Sequence, residues 1–369
     1  MTATASPARF GPPGPLQSAE LHQPKRRVRA ARRRDGTLPD LRTTVTELAT
    51  GLGMLGDDSL ETVFARRPPE MTSVAPELWD RLEHAYGGGA LGDQFRLAWS
   101  NGRAFLEASD GLRGRHPLSV EWKGSHRAPG DEVAPIDLRI DHVYLVSCKY
   151  ASKIMINTSP FHLFERMLRG PQGTRNGDWY AEVAPAEYQA LYSATLAAVG
   201  VPAAPEPSRL DARDRAGLAA ALAGGWPDAV EEARRAFVRV VTAQTALRWR
   251  RQVTAASAEP LLWRLLRMGS APYFLLGGTL DAPLRLRIAT PWDWRQSFRL
   301  RRFAIEASSS AQPSVTWRAG VEDRHRGELC EVAGHVEVRW SHGRFGGNPE
   351  AKVYLDTPHR LVPGYFALS

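Results

Sequence analysis

Hydrophobic positions follow two different periods along this chain, and the period changes more than once. From Leu41 to Ala108 the spacing is helical. Val45, Leu48, Leu52 and Leu55 fall on one face of Thr43–Leu55. Pro76–Ala85 and Leu91–Leu106 repeat the pattern, the latter with Phe95, Trp99 and Phe105, and Gly87–Gly89 separates the two. The middle of the chain then alternates. Leu118–Lys123, Ile136–Ile140 and His142–Cys148 are predicted strands. In the last, Val143, Leu145 and Ser147 share one face while Tyr144, Val146 and Cys148 share the other. Strands this apolar on both faces belong inside a covered sheet. Ser159 followed by Pro160 pairs an N-cap with a first-turn proline, so a helix carrying Glu165 is expected there.

Residues 171–182 are expected to form a loop, followed by helices near 186–199, 207–223 and 228–251. Pro227 begins the last, with Val230, Phe237, Val240, Val241 and Leu247 as its buried positions. Its final turn, Arg248–Arg251, is basic, which suits the helix dipole. After Pro272 alternation returns in Leu284–Ile288, Phe298–Arg301, His335–Trp340 and Lys352–Leu355, with a turn at Gly346–Pro349. A smaller antiparallel sheet with one wet, positively charged face is expected. Residues 1–38 show no apolar period and read as disordered. Four segments result: a basic arm (1–38), a helical lead-in with an α/β core (39–182), a helical segment (183–268) and a β-rich C-terminal region (269–369).

At 369 residues and 43 % hydrophobic, the chain has ample material for a sizeable core. No apolar run approaches the roughly 18 residues that span a bilayer, and Met1–Gln23 lacks the apolar stretch of a signal peptide. Cys148 and Cys330 are the only cysteines, too few for a disulfide framework or a cysteine zinc site. A cytoplasmic protein with no membrane association is expected. The net charge of +8 suits polyanions. Much of it lies in Lys25–Arg34, which includes Lys25, Arg26 and Arg27 and reads either as a tether to phosphates or as a solvated tail. Trp292–Phe303 mixes aromatic residues with Arg295, Arg299, Arg301 and Arg302. That mixture suits contact with phosphates and unpaired bases, or an amphipathic strand with a solvated basic face.

Chemistry concentrates between residues 118 and 168. Asp137 opens one strand and Lys149 closes the next, with a hairpin turn expected near Asp141 and His142. Paired strands lie about 4.8 Å apart, so the two side chains can face each other across the ladder. Glu165 follows as a second acid. Hydrolysis of a phosphodiester needs an activated water and neutralisation of the phosphate, and Mg²⁺ held by one or two carboxylates supplies both. A neighbouring lysine can orient the water and counter phosphate charge. Glu121–Lys123 is a rival acid-x-lysine pair, with Asp110 upstream, and Glu121 could also serve as an extra ligand from the neighbouring strand. Asp141 is better explained by turn chemistry. Ser147 and Lys149 lie on one strand face, which is not the usual serine–lysine catalytic pair. The histidines show no zinc spacing. Gly277–Gly278 lacks the Lys-Ser/Thr of a phosphate-binding loop. The ordinary alternative is an Asp137 that merely ends a strand, a Lys149–Glu165 ion pair and a small core serine at 147.

Pro135–Asp137 followed by Ser147–Lys149 resembles the PD-(D/E)XK nuclease superfamily of restriction endonucleases and related repair and phage-defence enzymes. Ser147 stands where that family usually has an acid. The arrangement is similar to a subgroup with a Ser-x-Lys triplet and the acid moved to the following helix. The resemblance implies a restriction-endonuclease-like α/β core, its mixed central sheet flanked by helices, with a helical insertion and the β-rich C-terminal region appended. It implies Asp137 and Glu165 as metal ligands, Lys149 as catalytic base or water-orienting group, and Ser147 in the vacated ligand position. It further implies Mg²⁺-dependent DNA cleavage, with Mn²⁺ as a possible substitute, and action as a homodimer or beside a defence-system partner. A non-catalytic DNA-binding or interaction subunit is the alternative.

Overall fold

Helix α1 (Leu38–Gly53) is the first described element, followed by α2 (Leu60–Arg66), α3 (Pro76–Gly87) and α4 (Gly92–Glu107). The computed structural model describes residues 38–56, 59–89, 91–124, 136–150, 153–167, 177–308 and 310–369. Lys25, Arg26, Arg27 and the rest of the basic arm lie outside the described residues. The helical spacing of Val45, Leu48, Leu52, Phe95 and Phe105 has its expected consequence, since all five are buried together in one core. Helix α2 has weaker apolar periodicity, but Ser59 caps it by accepting the N–H of Thr62.

A seven-stranded sheet crosses the molecule. Its strands are β1 (Met71–Thr72), β2 (Val120–Trp122), β3 (Leu138–Ile140), β4 (Tyr144–Tyr150), β6 (Tyr273–Gly278), β7 (Pro283–Ile288) and β12 (Tyr365–Ala367), in that spatial order. Strands β2, β3 and β4 form an antiparallel meander, β4 and β6 run parallel, and β7 returns antiparallel. The protein is therefore of the α/β class with a mixed sheet. The β3–β4 hairpin turns at Asp141 and His142, whose φ angles of 49° and 59° are those of a tight two-residue hairpin turn. Two cores sandwich this sheet. Val120, Leu138, Ile140, Val146, Phe274 and Leu276 face the first, formed with α1 and α4. On the other side, Tyr273, Leu275, Leu286, Ile288 and Tyr365 join a second and larger core.

That second core is shared with an antiparallel five-stranded sheet of β5 (Ile154–Thr158), β11 (Glu350–Leu355), β10 (Leu329–Arg339), β9 (Ser314–Asp323) and β8 (Phe298–Ala307). Helices α5 (Trp179–Val183), α6 (Pro185–Val199), α7 (Ala212–Ala221), α8 (Glu231–Gln252) and α9 (Ala255–Leu265) contribute to it. Helix α8 buries Phe237 and Val241 as expected and Trp249 besides, while Val240 and Leu247 are only half-buried.

Several expectations change. The loop expected over 171–182 gives way at its end to α5, which Asp178 caps by accepting the Tyr180 N–H. Leu284–Ile288 belongs to the seven-stranded sheet instead of the C-terminal one, because alternation specifies a face and not a partner. Conversely β5, from the middle of the chain, completes the five-stranded sheet. The segments expected to meet at 182/183 and 268/269 therefore interleave within Leu38–Ser369, which is one compact unit. Trp292–Phe303 is not one strand. Thr290 and Asp293 cap each other reciprocally and Pro291 occupies the first turn, so α10 (Pro291–Ser297) forms before β8 begins.

Candidate functional site

Asp137 interrupts the regular ladder just before β3. Its N–H donates to the Val146 carbonyl on β4 while its own carbonyl accepts from Lys123 on the other side, each at 2.9 Å. Such a bulge-like step re-aims a side chain. Here the Oδ2 atom accepts the Cys148 N–H at 2.6 Å and the Ser147 hydroxyl at 3.3 Å. Ser147 is only 1 % exposed, so its hydroxyl is a buried prop for Asp137 and is not placed as a nucleophile.

The registers put a polar group on one half of the sheet face. Glu121 pairs with Arg139, Arg139 with Leu145, and Ser147 and Lys149 follow Leu145 at alternate positions of β4. Lys149 is half-buried and its Nζ donates to the Ile154 carbonyl at 2.6 Å. Its charge also acts on His359. Burial depresses the imidazole first and Lys149 adds to it, so His359 is held below its ordinary range. Glu121 lies between Lys123 at 3.3 Å and Arg139 at 2.5 Å. Burial works to raise its carboxyl, but the hydrogen bonds and charges of Arg139 and Lys123 outweigh this and hold it below the ordinary carboxylate range.

Glu165 is held by an arginine. The chain enters a helix at Pro160 as expected, with Ser159 accepting the His162 N–H at 3.2 Å. The next turns are π-helical over His162–Arg166. Glu165 accepts from Arg248 at 3.1 Å, and the same Arg248 nitrogen reaches Glu182 at 3.0 Å. Glu165 also lines a cavity of about 210 Å³ with Phe164, Trp249 and Ser257. The anticipated grouping joins Asp137, Glu165 and Lys149; the contacts given for Glu165 are with Arg248, and those given for Asp137 and Lys149 are with Ser147, Cys148 and the Ile154 carbonyl. Among the described residues no three Asp, Glu, His or Cys side chains cluster as a metal site. The rival grouping of Asp110 with Glu121 is not formed either. Asp110 pairs with Arg287 at 3.5 Å, and Arg287 opposes Phe274 on the other face of the sheet. Asp141 serves the turn, accepting the N–H groups of Leu118 and Ser119.

The C-terminal arginines are engaged with acids. Arg295 meets Glu259 at 2.8 Å and covers the Trp263 ring. Arg301 meets Glu322 at 2.6 Å, and Arg302 shares Glu331 with Arg318. Arg299 is exposed. The outer face of the five-stranded sheet is thus a mixed array of charges and not the positive field expected, because Glu residues on adjoining strands answer the arginines.

Sequence reasoning passed over Arg139 and His359, and weighed Gly277 only as part of a phosphate-binding loop. The first two carry no local signal, since their significance lies in what stands across the sheet. Gly277 does carry one, as half of a Gly–Gly pair at a strand end. A Cβ there would overlap the Lys149 carbonyl, so glycine is what lets β6 approach β4 beside the lysine. Comparison with known proteins adds no identity: no family model matches the chain, and no curated protein or solved structure matches it.

Proposed function

We propose that this chain is a metal-dependent DNA endonuclease whose site lies at the polar half of the seven-stranded sheet, with Asp137 and Lys149 at its centre. One observation carries the reading: the Asp137 carboxylate accepts the Cys148 N–H and the Ser147 hydroxyl, at the end of β4 that also bears Lys149. The half-buried carboxylate of Asp137 fits Mg²⁺ or Mn²⁺, since Mg²⁺ takes one or two protein carboxylates and fills its remaining positions from water and phosphate. Glu121 is the second carboxylate in place of Glu165, released when a phosphate draws Lys123 and Arg139 to itself. When bound, the ion supplies an acidified water and neutralises phosphate charge. Lys149 orients that water, Lys123 and Arg139 hold the phosphate, and Ser147 fixes the rotamer of Asp137. Restriction or phage defence in the cytoplasm, as a homodimer or with a partner protein, is the setting that the resemblance to Ser-x-Lys nucleases suggests.

A non-catalytic DNA-binding or interaction subunit has its own support, because Glu121 and Glu165 are both neutralised by basic side chains. Incubation of supercoiled plasmid with the purified chain in Mg²⁺, Mn²⁺ or EDTA separates the two. Nicking that needs the metal and falls by about 10²-fold or more in Lys149→Ala and Asp137→Asn is expected. Salt-sensitive DNA retention without nicking would instead establish the binding module.

A further inference from the structure

Away from that site, a cavity of about 410 Å³ opens between α8 and the end of β10. Its size falls within the range of ligand pockets. Two kinds of side chain line it. The half-buried rings of Trp226 and Trp340 give it aromatic walls, backed by the buried Tyr180 and Phe237, and Arg344 lies 5.1 Å over the Trp226 ring. We propose that this cavity binds a single nucleotide unit, its base against the aromatic walls and its phosphate on Arg344.

The charges favour an anion. Arg344 donates to the Leu222 carbonyl and has no carboxylate partner among the described residues. Burial first, and then the charge of Arg234, push its guanidinium below the ordinary arginine range. A half-buried cation facing a second cation is relieved by a phosphate, and a guanidinium presents paired donors to phosphate oxygens. Arg234 itself is committed to Glu231 and the Ala311 carbonyl, which leaves the anion to Arg344. The walls favour a flat heteroaromatic ring. Bases stack on aromatic side chains without regard to sequence. The buried indole N–H of Trp340 and Nε–H of Arg339, both on residues lining the cavity, lack acceptors among the described residues. On the same helix Arg239 is exposed, where a neighbouring phosphate of a strand would pass. The ligand is therefore either a free mononucleotide or one nucleotide extruded from a strand.

Calorimetric titration of the full chain tests this with nucleoside monophosphates, the matching nucleosides, inorganic phosphate and a short single-stranded oligonucleotide. Saturable binding of a monophosphate, or of the oligonucleotide alone, is expected, and which of them binds identifies the source. Arg344→Gln and Trp226→Ala should each weaken it at least tenfold while Trp226→Phe restores it, with melting temperatures showing that each variant folds. The binding titration needs no metal and no cleavage, so it reads the cavity whether or not the Asp137 site nicks DNA. Binding of inorganic phosphate as tight as any nucleotide, absence of binding by every nucleotide at millimolar concentration, or indifference to Arg344→Gln in a folded variant would each overturn the assignment.

Discussion

Glu165 and Glu121 show how a residue's role is set by what the fold brings beside it. Glu165 has the sequence position of a metal ligand, yet its carboxylate joins Arg248 and, through it, Glu182. That triad ties the helix after β5 to α8. Glu121 is also paired, but to Lys123 and Arg139 on the sheet face that bears Ser147 and Lys149. The two substitutions should therefore differ in kind. Glu165→Gln is expected to cost about 0.5–1 kcal/mol of stability, as for a partly exposed ion pair, and to leave any nicking intact. Glu121→Gln should leave the melting temperature within a few degrees while reducing metal-dependent nicking. Parallel thermal melts and plasmid assays check both, and loss of nicking in Glu165→Gln with normal stability would restore the sequence-based assignment of that acid.

At the scale of elements, the β4–β6 contact governs the position of Lys149. The strands pair in parallel with Lys149 opposite Gly277. Asn101 on α4 donates to the Gly277 carbonyl at 3.0 Å and to the Tyr150 hydroxyl at 3.1 Å, so α4 fixes the ends of both strands from the opposite face. Gly277→Ala would force its methyl into the Lys149 backbone. The expected outcome is a loss of about 1–3 kcal/mol in denaturant unfolding, typical of overpacking, with Lys149 displaced from the site. Equal stability of the variant would show that the strands can separate more readily than this packing allows. Much of this level was legible beforehand. The β3–β4 hairpin, its turn at Asp141 and His142, and the two faces of β4 all follow from local alternation and turn chemistry. The bulge at Asp137 was not, because an extra residue in a ladder is defined only against the strands on either side.

Across the whole molecule, the chain closes its first sheet late. Strands β6, β7 and β12 lie beyond residue 268, and β6 covers the parallel edge of β4. Both cores draw residues from them: Phe274 and Leu276 enter the first, and Leu275, Leu286 and Ile288 the second. A chain ending at residue 268 is thus expected to lack a cooperative thermal transition by circular dichroism, whereas residues 38–369 should unfold in one. A cooperative 38–268 fragment would mean that the meander and its helices are self-sufficient. Among the described residues no helix is long and apolar enough to cross a membrane.

The sequence by itself determined many of the elements. Period, caps and turn residues act over a few positions, and so placed the early helices, the β2–β4 meander and α8 within a few residues of where they lie. It also placed Asp137, Ser147 and Lys149 on adjoining strands. Only the tertiary structure decided which sheet each strand enters and which cations each acid meets. Those outcomes depend on contacts between residues far apart in the chain, where a pattern of polar and apolar positions names a face but not the side chains that will cover it.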